Sequence, residues 1–377
     1  MFPRMSPMTR HLFVVSVLLA AQFGLLHADP PKPTPDVKAD IEAIQKAMLA
    51  GRTDEEFIKK NGEKRIAEWR KAAETGSAEA RFLLSRCHEY SIGLKRDGAV
   101  ELQLLNKSAE QGFALSQVIL AGIHLQVATD HDRAESFKWF RKAAEQGNAV
   151  GQNGLGLCYQ KGFGVKQDDA EALKWYQKSA EQGHAMSQNS VGFYSSQGRV
   201  VKQDIVEAVK WYRKAAEQNF APAQWNLGNA YSDGRGVKTD PIEAVVWWRK
   251  AAEQGYLDAQ NILGFVYETG DGVKQDHAEA VKWYRKAAEQ GHRLGQLNLG
   301  VCYSVGRGVK KDDIEAVNWI RKSAEQGLAN AQSVLGYCYA TGMGVKQDES
   351  EAINWLQKAA DQGHPEAKAY LSKLKKP

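Results

Sequence analysis

The phrase Trp175-Tyr176-Gln177-Lys178-Ser179-Ala180-Glu181-Gln182-Gly183 decides the fold, because it recurs along most of the chain. It returns, for example, as Trp283-Tyr284-Arg285-Lys286-Ala287-Ala288-Glu289-Gln290-Gly291. Successive copies end 36 residues apart, with one interval of 35, at Gly76, Gly112, Gly147, Gly183, Asn219, Gly255, Gly291, Gly327 and Gly363. A constant period of this length predicts eight stacked supersecondary units that share one continuous core.

Each repeat predicts two helices joined by a glycine-rich turn. In the first helix, small and apolar residues fall on one helical face, as do Ala329, Gln332, Leu335, Gly336 and Tyr339. A glycine inside a helix costs about 1 kcal/mol relative to alanine. Because this glycine recurs in most repeats, we expect it to allow close packing of adjacent helices.

The ends of the helices carry recognisable signals. Asn219 replaces the closing glycine once, and asparagine is the residue that best tolerates the left-handed conformation found after a helix. The second helices open with Asp and, three residues later, Glu: Asp168/Glu171, Asp204/Glu207, Asp240/Glu243, Asp276/Glu279, Asp312/Glu315 and Asp348/Glu351. Such carboxylate pairs could serve acid–base catalysis, but six copies at one offset favour helix capping.

The first 28 residues differ from the rest of the chain. Arg4 and Arg10 precede an apolar run from Leu12 to Leu26, and Ala28 supplies a small residue before a proline-rich stretch. This pattern predicts a secretory signal peptide at 1–28, although an uncleaved anchor is the alternative. We expect a linker at 29–36, two capping helices within 37–75, repeats over 76–362 and a C-terminal capping helix within 363–377.

With these landmarks placed, the repeat resembles the Sel-one-like repeat (SLR), a relative of the tetratricopeptide repeat. The matching residues are the Ala…Leu-Gly…Tyr first helix, the Gly-x-Gly-Val turn, the Asp-x-x-Glu-Ala start and the Trp-Tyr-x-Lys-Ala-Ala-Glu-Gln-Gly ending, over about 69–374. The resemblance implies an all-α, right-handed superhelical solenoid of αα-hairpins with the first helices on the concave side. It also implies a scaffold or adaptor role rather than an enzyme.

Composition and motifs support few kinds of chemistry. The 50 basic and 45 acidic residues form no concentrated basic face, which argues against a nucleic-acid partner. We expect no metal, cofactor or catalytic site, because no zinc-ligand spacing, phosphate-binding loop or nucleophile motif occurs. Four cysteines share one position in their repeats and are expected to be free, buried thiols without disulfides: Cys87, Cys158, Cys302 and Cys338.

Positions that vary between repeats are the candidates for a binding surface. In the first helix, the residues six, ten and thirteen positions after the helix-stop residue vary most and lie on one face. The candidate partner-binding residues are Asn153, Asn189, Phe193, Trp225, Asn229, Asn261, Phe265 and Tyr337. Carboxamides can pair with the backbone of an extended peptide while rings hold its side chains. The alternative is that the rings only pack between repeats.

The sequence leaves more than one function open. The leading hypothesis is an exported scaffold, secreted or periplasmic, that binds a protein or peptide; export is compatible with association with the cell envelope. The mature chain after residue 28 has no segment apolar enough to span a membrane. The alternatives are an envelope glycan- or peptidoglycan-binding protein or a β-lactamase-like hydrolase, and a spacer without a ligand. Some relatives are associated with penicillin binding, but Ser372-Lys373-Leu374-Lys375 stands alone and lacks the partner motifs.

Overall fold

A computed structural model of the chain describes residues 35–49, 54–127 and 129–374, which form helices and connecting turns. The predicted signal peptide at 1–28 lies outside these residues. The chain divides between Ala215 and Ala216 into two compact units, which are described separately. No helix within the described ranges combines the length and the apolar character needed to cross a membrane.

The described residues of the first unit form nine complete helices and most of a tenth. In each of the first four hairpins that follow α1 and α2, the first helix has an odd number and the second an even number. The helices are α1 Pro35–Leu49, α2 Asp54–Glu74, α3 Ala78–Tyr90, α4 Gly98–Glu110, α5 Ala114–Val127, α6 Asp130–Glu145, α7 Ala149–Lys161, α8 Asp169–Glu181, α9 Ala185–Gln197 and α10 Ile205–Glu217.

The second unit repeats the same hairpin four times and closes with a single helix. The helices are α11 Ala221–Asp233, α12 Pro241–Glu253, α13 Leu257–Thr269, α14 His277–Glu289, α15 Arg293–Val305, α16 Asp313–Glu325, α17 Ala329–Thr341, α18 Glu349–Asp361 and α19 Pro365–Leu374. Within this unit each helix packs against the next, and the first helices α13 and α15 also contact each other. The predicted all-α solenoid of helical hairpins is confirmed.

Two helices cover the segment in which capping helices were expected. α1 begins at Pro35, two residues inside the segment predicted as linker, because proline is well suited to the first turn of a helix. Trp69 of α2 donates its indole N–H to the buried carboxylate of Asp40 on α1 over 2.7 Å, and Arg65 pairs with the same carboxylate at 3.0 Å. This buried network joins the two helices. At the other end, α19 occupies the segment expected to close the stack.

The mid-helix glycines bring the two helices of a hairpin together, as expected. A Cβ added to Gly300 on α15 would lie 2.6 Å from the side chain of Ile320 and 2.9 Å from the carbonyl oxygen of Ala316, both on α16. Such distances are well inside van der Waals contact. Only glycine therefore fits beneath the large residue of the partner helix, and this packing offsets its low helix propensity.

The turn glycines serve a different contact, between consecutive hairpins. Gly308 has a φ of +70°, and a Cβ there would overlap the backbone carbonyl of His277 at the start of α14. The turn after α15 thus rests directly on the first turn of the preceding second helix. The sequence predicted a turn here, but only the structure shows that it is also the contact that sets the distance to the previous hairpin.

A ladder of glutamine side chains joins consecutive hairpins at the C-terminal ends of the second helices. Gln260 on α13 donates its side-chain N–H to the carbonyl of Ala252 over 3.1 Å, and its own oxygen accepts from Gln290 at 2.9 Å. Equivalent pairs with separations of 2.7–2.8 Å are Gln146–Gln117, Gln182–Gln152, Gln254–Gln224, Gln326–Gln296 and Gln362–Gln332. In each of these cases the first helix is tied to the ends of two second helices by hydrogen bonds that burial makes costly to lose.

The helix ends match their sequence signals. Asn219 adopts a φ of +65°, which confirms the left-handed position expected after a helix. The carboxylate of Asp276 accepts backbone N–H groups from Ala278 and Glu279, each at 3.0 Å, and the other predicted Asp caps form equivalent bonds. The repeated Asp residues are helix caps.

The tryptophan marker of the second helix belongs mainly to the core. Trp139, Trp247, Trp283 and Trp319 are buried, and Trp175, Trp211 and Trp355 are partly buried. In each of these seven cases a lysine three residues later covers the indole, with Nζ 3.9–4.3 Å from the ring centroid. The expectation that these rings are core residues holds, with the added finding that a cation covers the ring of each.

Candidate binding surface on the first helices

The candidate rings ten residues after each helix-stop residue are exposed to solvent. In the second unit Phe265 on α13 and Tyr337 on α17 are each 48% exposed, and Val301 between them on α15 is 37% exposed. In the first unit Phe193 on α9 is 43% exposed. Tyr337 also meets Tyr370 of α19 edge-on, with centroids 5.8 Å apart. These side chains are not enclosed between the repeats and remain available to a partner.

The asparagine row is less accessible than the sequence suggested. Asn153 on α7 is only 4% exposed, and its side-chain oxygen lies 2.9 Å from the hydroxyl of Ser187 on α9. That position faces the adjacent hairpin, so Asn153 joins helices and does not belong to an exposed row. Asn189, at the same position in the next repeat, is half-buried.

In the second unit the candidate Trp225 and Asn229 support their own hairpin. The indole of Trp225 is stacked between Trp248 and Tyr256, with centroids 6.1 and 5.9 Å away, and is half-buried. Asn229 accepts the indole N–H of Trp248 over 3.0 Å. Both residues reach the surface, but a large part of each is used for packing. Asn261 is also half-buried, and its oxygen accepts an N–H from Asn298 over 3.0 Å.

Two exposed residues of this surface were missed by the sequence reasoning. Leu294 and Val305 lie on α15, one near each end of the helix, and are 40% and 56% exposed. With Val301 they follow a spacing that places all three on one side of α15. The positions three and fourteen residues after the helix stop also vary between repeats, so the same criterion could have identified both residues from the sequence. We call Phe265, Leu294, Val301, Val305 and Tyr337 the apolar patch.

The apolar patch lies on helices that carry little charge. The four first helices of the second unit contain only Asp233, Asp258, Glu268 and Arg293 as charged residues, whereas each second helix contains four or five. Asp258 lies 3.2 Å from the imidazole of His292, and Glu268 pairs with Arg307. Asp258 and Glu268 thus each have a polar partner, and the centre of the surface is uncharged.

The residues with reactive side chains occupy structural positions. All four cysteines are free and buried in the structure, and burial raises the pKa of the Cys87 thiol to about 12 and that of Cys338 to about 11. These thiols are therefore protonated and unreactive at neutral pH. Within residues 35–49, 54–127 and 129–374, no three His, Cys, Asp or Glu side chains converge as a metal site would require.

Comparison with known proteins agrees with the repeat read from the sequence. The model of the Sel1 repeat matches the chain at 78–113, 115–148, 149–184, 185–220, 221–256, 257–292, 294–328 and 329–364. A Sel1 repeat protein from Oxalobacter formigenes is similar at 35% identity and a TM-score of 0.58, over 63% of this chain and 96% of that one. A protective antigen with an SLR fold from uropathogenic Escherichia coli strains is similar at 30% identity and a TM-score of 0.46, over 90% and 87%. No curated protein matches the chain.

The repeat matches extend from residue 78 to residue 364, with only residues 114 and 293 left unmatched between them. Solenoids of this kind generally serve as non-catalytic scaffolds for protein–protein interaction. The chain belongs to the Sel1 repeat family.

Proposed function

We propose that the chain is an exported, non-enzymatic scaffold that binds an extended, uncharged segment of a protein or peptide across the apolar patch. The observation that carries the proposal is the patch itself, in which five apolar residues are exposed by 37–56% on helices almost free of charge. Buried apolar anchors within a polar surround are the usual source of affinity in protein recognition. The patch lies on the first helices, which the family resemblance places on the concave side.

The spacing of the repeats suits an extended chain. Packed helices lie about 8–10 Å apart, and an extended peptide in the polyproline II conformation advances about 3.1 Å per residue with three residues per turn, so that every third side chain lies on one side. Every third residue of such a peptide would therefore meet the next hairpin, so that side chains one, four and seven would contact Phe265, Val301 and Tyr337 in turn. A ligand with apolar residues at this interval, and no charge between them, matches the surface.

The experiment is a selection of random peptides on the immobilised full chain, followed by affinity measurements with the selected peptide. The double variant Phe265→Ala, Tyr337→Ala is expected to bind that peptide at least tenfold more weakly, because each truncation removes an aromatic anchor worth about 1–2 kcal/mol. The matched control is Ile242→Ala, Ile314→Ala, which removes two side chains that are 67% and 66% exposed on second helices. This control should bind as the parent does.

Equal losses in both double variants would place the binding surface elsewhere. Failure to select any peptide, together with binding or turnover of peptidoglycan fragments by the same preparation, would favour the envelope alternative. If no peptide and no fragment bound, the chain would be a spacer. Circular dichroism of every variant separates loss of binding from loss of fold.

Export is part of this proposal and rests on the composition of residues 1–28. The expected result is a mature protein that begins at Asp29 and is found outside the cytoplasm, as mass spectrometry of the purified N-terminus and cell fractionation would show. Retention of the intact N-terminus in a membrane fraction would instead support the uncleaved anchor.

A further inference from the structure

A polar pair lies in the middle of the apolar patch. The side-chain N–H of Asn298 on α15 donates to the side-chain oxygen of Asn261 on α13 over 3.0 Å, and both residues are half-buried. Asn261 is one helical turn from Phe265, and Asn298 lies between Leu294 and Val301 along the same side of α15. The pair therefore shares the surface on which a ligand would lie.

The bond between the two carboxamides leaves donors and acceptors unused on both of them. A carboxamide carries two N–H donors and an oxygen that accepts up to two hydrogen bonds. The mutual bond uses one N–H of Asn298 and one lone pair of Asn261, so the whole amino group of Asn261 and the whole oxygen of Asn298 remain, together with one N–H of Asn298 and one lone pair of Asn261. The same set remains if the two carboxamides exchange roles. One N–H beside one C=O is the complement of a single peptide group.

Joining α13 to α15 does not by itself require polar residues at these positions. One hairpin further on, the equivalent positions of α15 and α17 hold Leu297 and Val334. Leu297 is buried in the core cluster of that hairpin pair and Val334 packs against the same cluster. An apolar contact thus serves the same place in the stack, and the carboxamides at 261 and 298 need another reason to be there.

We infer that Asn261 and Asn298 recognise one main-chain peptide group of the bound segment, while the apolar patch takes its side chains. This inference rests on the proposed function and specifies the conformation of its ligand. The peptide groups of a helix are already paired within the helix. A helical partner would therefore leave the Asn pair desolvated and unsatisfied, which is costly, whereas an extended segment satisfies it.

The test uses the peptide selected on the full chain, together with versions methylated at one backbone nitrogen at a time. Wild-type protein should lose about tenfold in affinity when one particular nitrogen is methylated, because the carboxamide oxygen loses its donor. The variant Asn261→Leu, Asn298→Val copies the contact found at Leu297 and Val334 and should preserve the fold. It should bind the parent peptide about tenfold more weakly and no longer respond to methylation at that nitrogen.

The inference would be overturned if methylation of each backbone nitrogen changed the affinity of the double variant as much as it changes the affinity of the wild-type protein. So would tighter binding of the peptide when it is constrained as a helix. In either case a loss of binding in Phe265→Ala, Tyr337→Ala would still uphold the apolar patch, so the two proposals fail separately. If the double variant does not fold, Asn298→Val alone tests the same nitrogen.

Discussion

In the second unit the first and second helices of every hairpin are each 13 residues long but differ in almost every other property. In the second unit the first helices are nearly uncharged, contain a glycine in mid-helix and expose Phe265, Val301 and Tyr337. The second helices carry the charges, the buried tryptophans with their lysines, and the carboxylate caps. The two helices of a hairpin thus have different roles. The second helices supply solubility and core volume, which leaves the first helices free to vary where a ligand would bind.

Single substitutions at glycines can measure how tightly the two helices of a hairpin pack. Gly300→Ala should destabilise the protein by about 2–3 kcal/mol, because the added Cβ would lie 2.6 Å from Ile320 and 2.9 Å from a backbone oxygen. Gly122→Ala on α5 is the matched control, since a Cβ there has no atom within 4 Å. It should stabilise by up to about 1 kcal/mol through helix propensity. Chemical denaturation of both variants decides the sign, and stabilisation by Gly300→Ala would contradict the packing argument.

The caps of the two kinds of helix should respond differently to acid. His184 caps α9 and is buried, with its Nδ1 accepting the backbone N–H of Ser187 at 3.3 Å, and burial lowers the pKa of its imidazole to about 3. The hydroxyl of Ser187 lies 2.8 Å from the same Nδ1 and is in turn bonded to Asn153 and Ser179, and burial is the cause of the lowered pKa. As the pH falls below about 6.5, the unfolded chain takes up a proton that the folded chain cannot hold. Stability is therefore lost towards acid.

By pH 5 this one group should cost up to about 2 kcal/mol relative to pH 7, at 1.36 kcal/mol per pKa unit. His184→Asn copies Asn148, which caps the preceding first helix through a 2.9 Å bond to Gly151. The variant should lose less stability between pH 7 and pH 5 than the parent, whatever its stability at pH 7. Thermal denaturation at the two pH values measures this difference. Equal losses in both proteins would show that His184 does not set the acid response of the first unit.

The smallest of the three effects concerns a second-helix cap. Asp276→Ala removes the acceptor for two backbone N–H groups of α14 and should cost about 1 kcal/mol. Asp271→Ala, in the exposed turn five residues earlier, is the control and should be nearly neutral. Urea denaturation of the two variants makes the comparison. A loss that is equal in both would indicate a general effect of charge, since only Asp276 caps the helix.

Much of the fold was predictable because the same local sequence signals recur in most of the repeats. The 36-residue period, the αL position at Asn219 and the caps such as Asp276 all follow from backbone conformations that few residue types satisfy. The structure agrees with each of them. The role of the turn glycines between hairpins was not predictable, since the carbonyl that Gly308 approaches belongs to a residue 31 positions earlier in the chain.

The candidate site was predicted less well than the fold, and the reason is geometric. Variation between repeats selected Phe193, Phe265 and Tyr337, which are exposed, but it also selected Asn153, which is buried against the next hairpin. It did not select Leu294 and Val305, which complete the patch. A sequence period specifies the helical face on which a residue lies. How much of that face the neighbouring hairpin covers depends on the packing of two helices that are about 36 residues apart in sequence, and only the tertiary structure decides it.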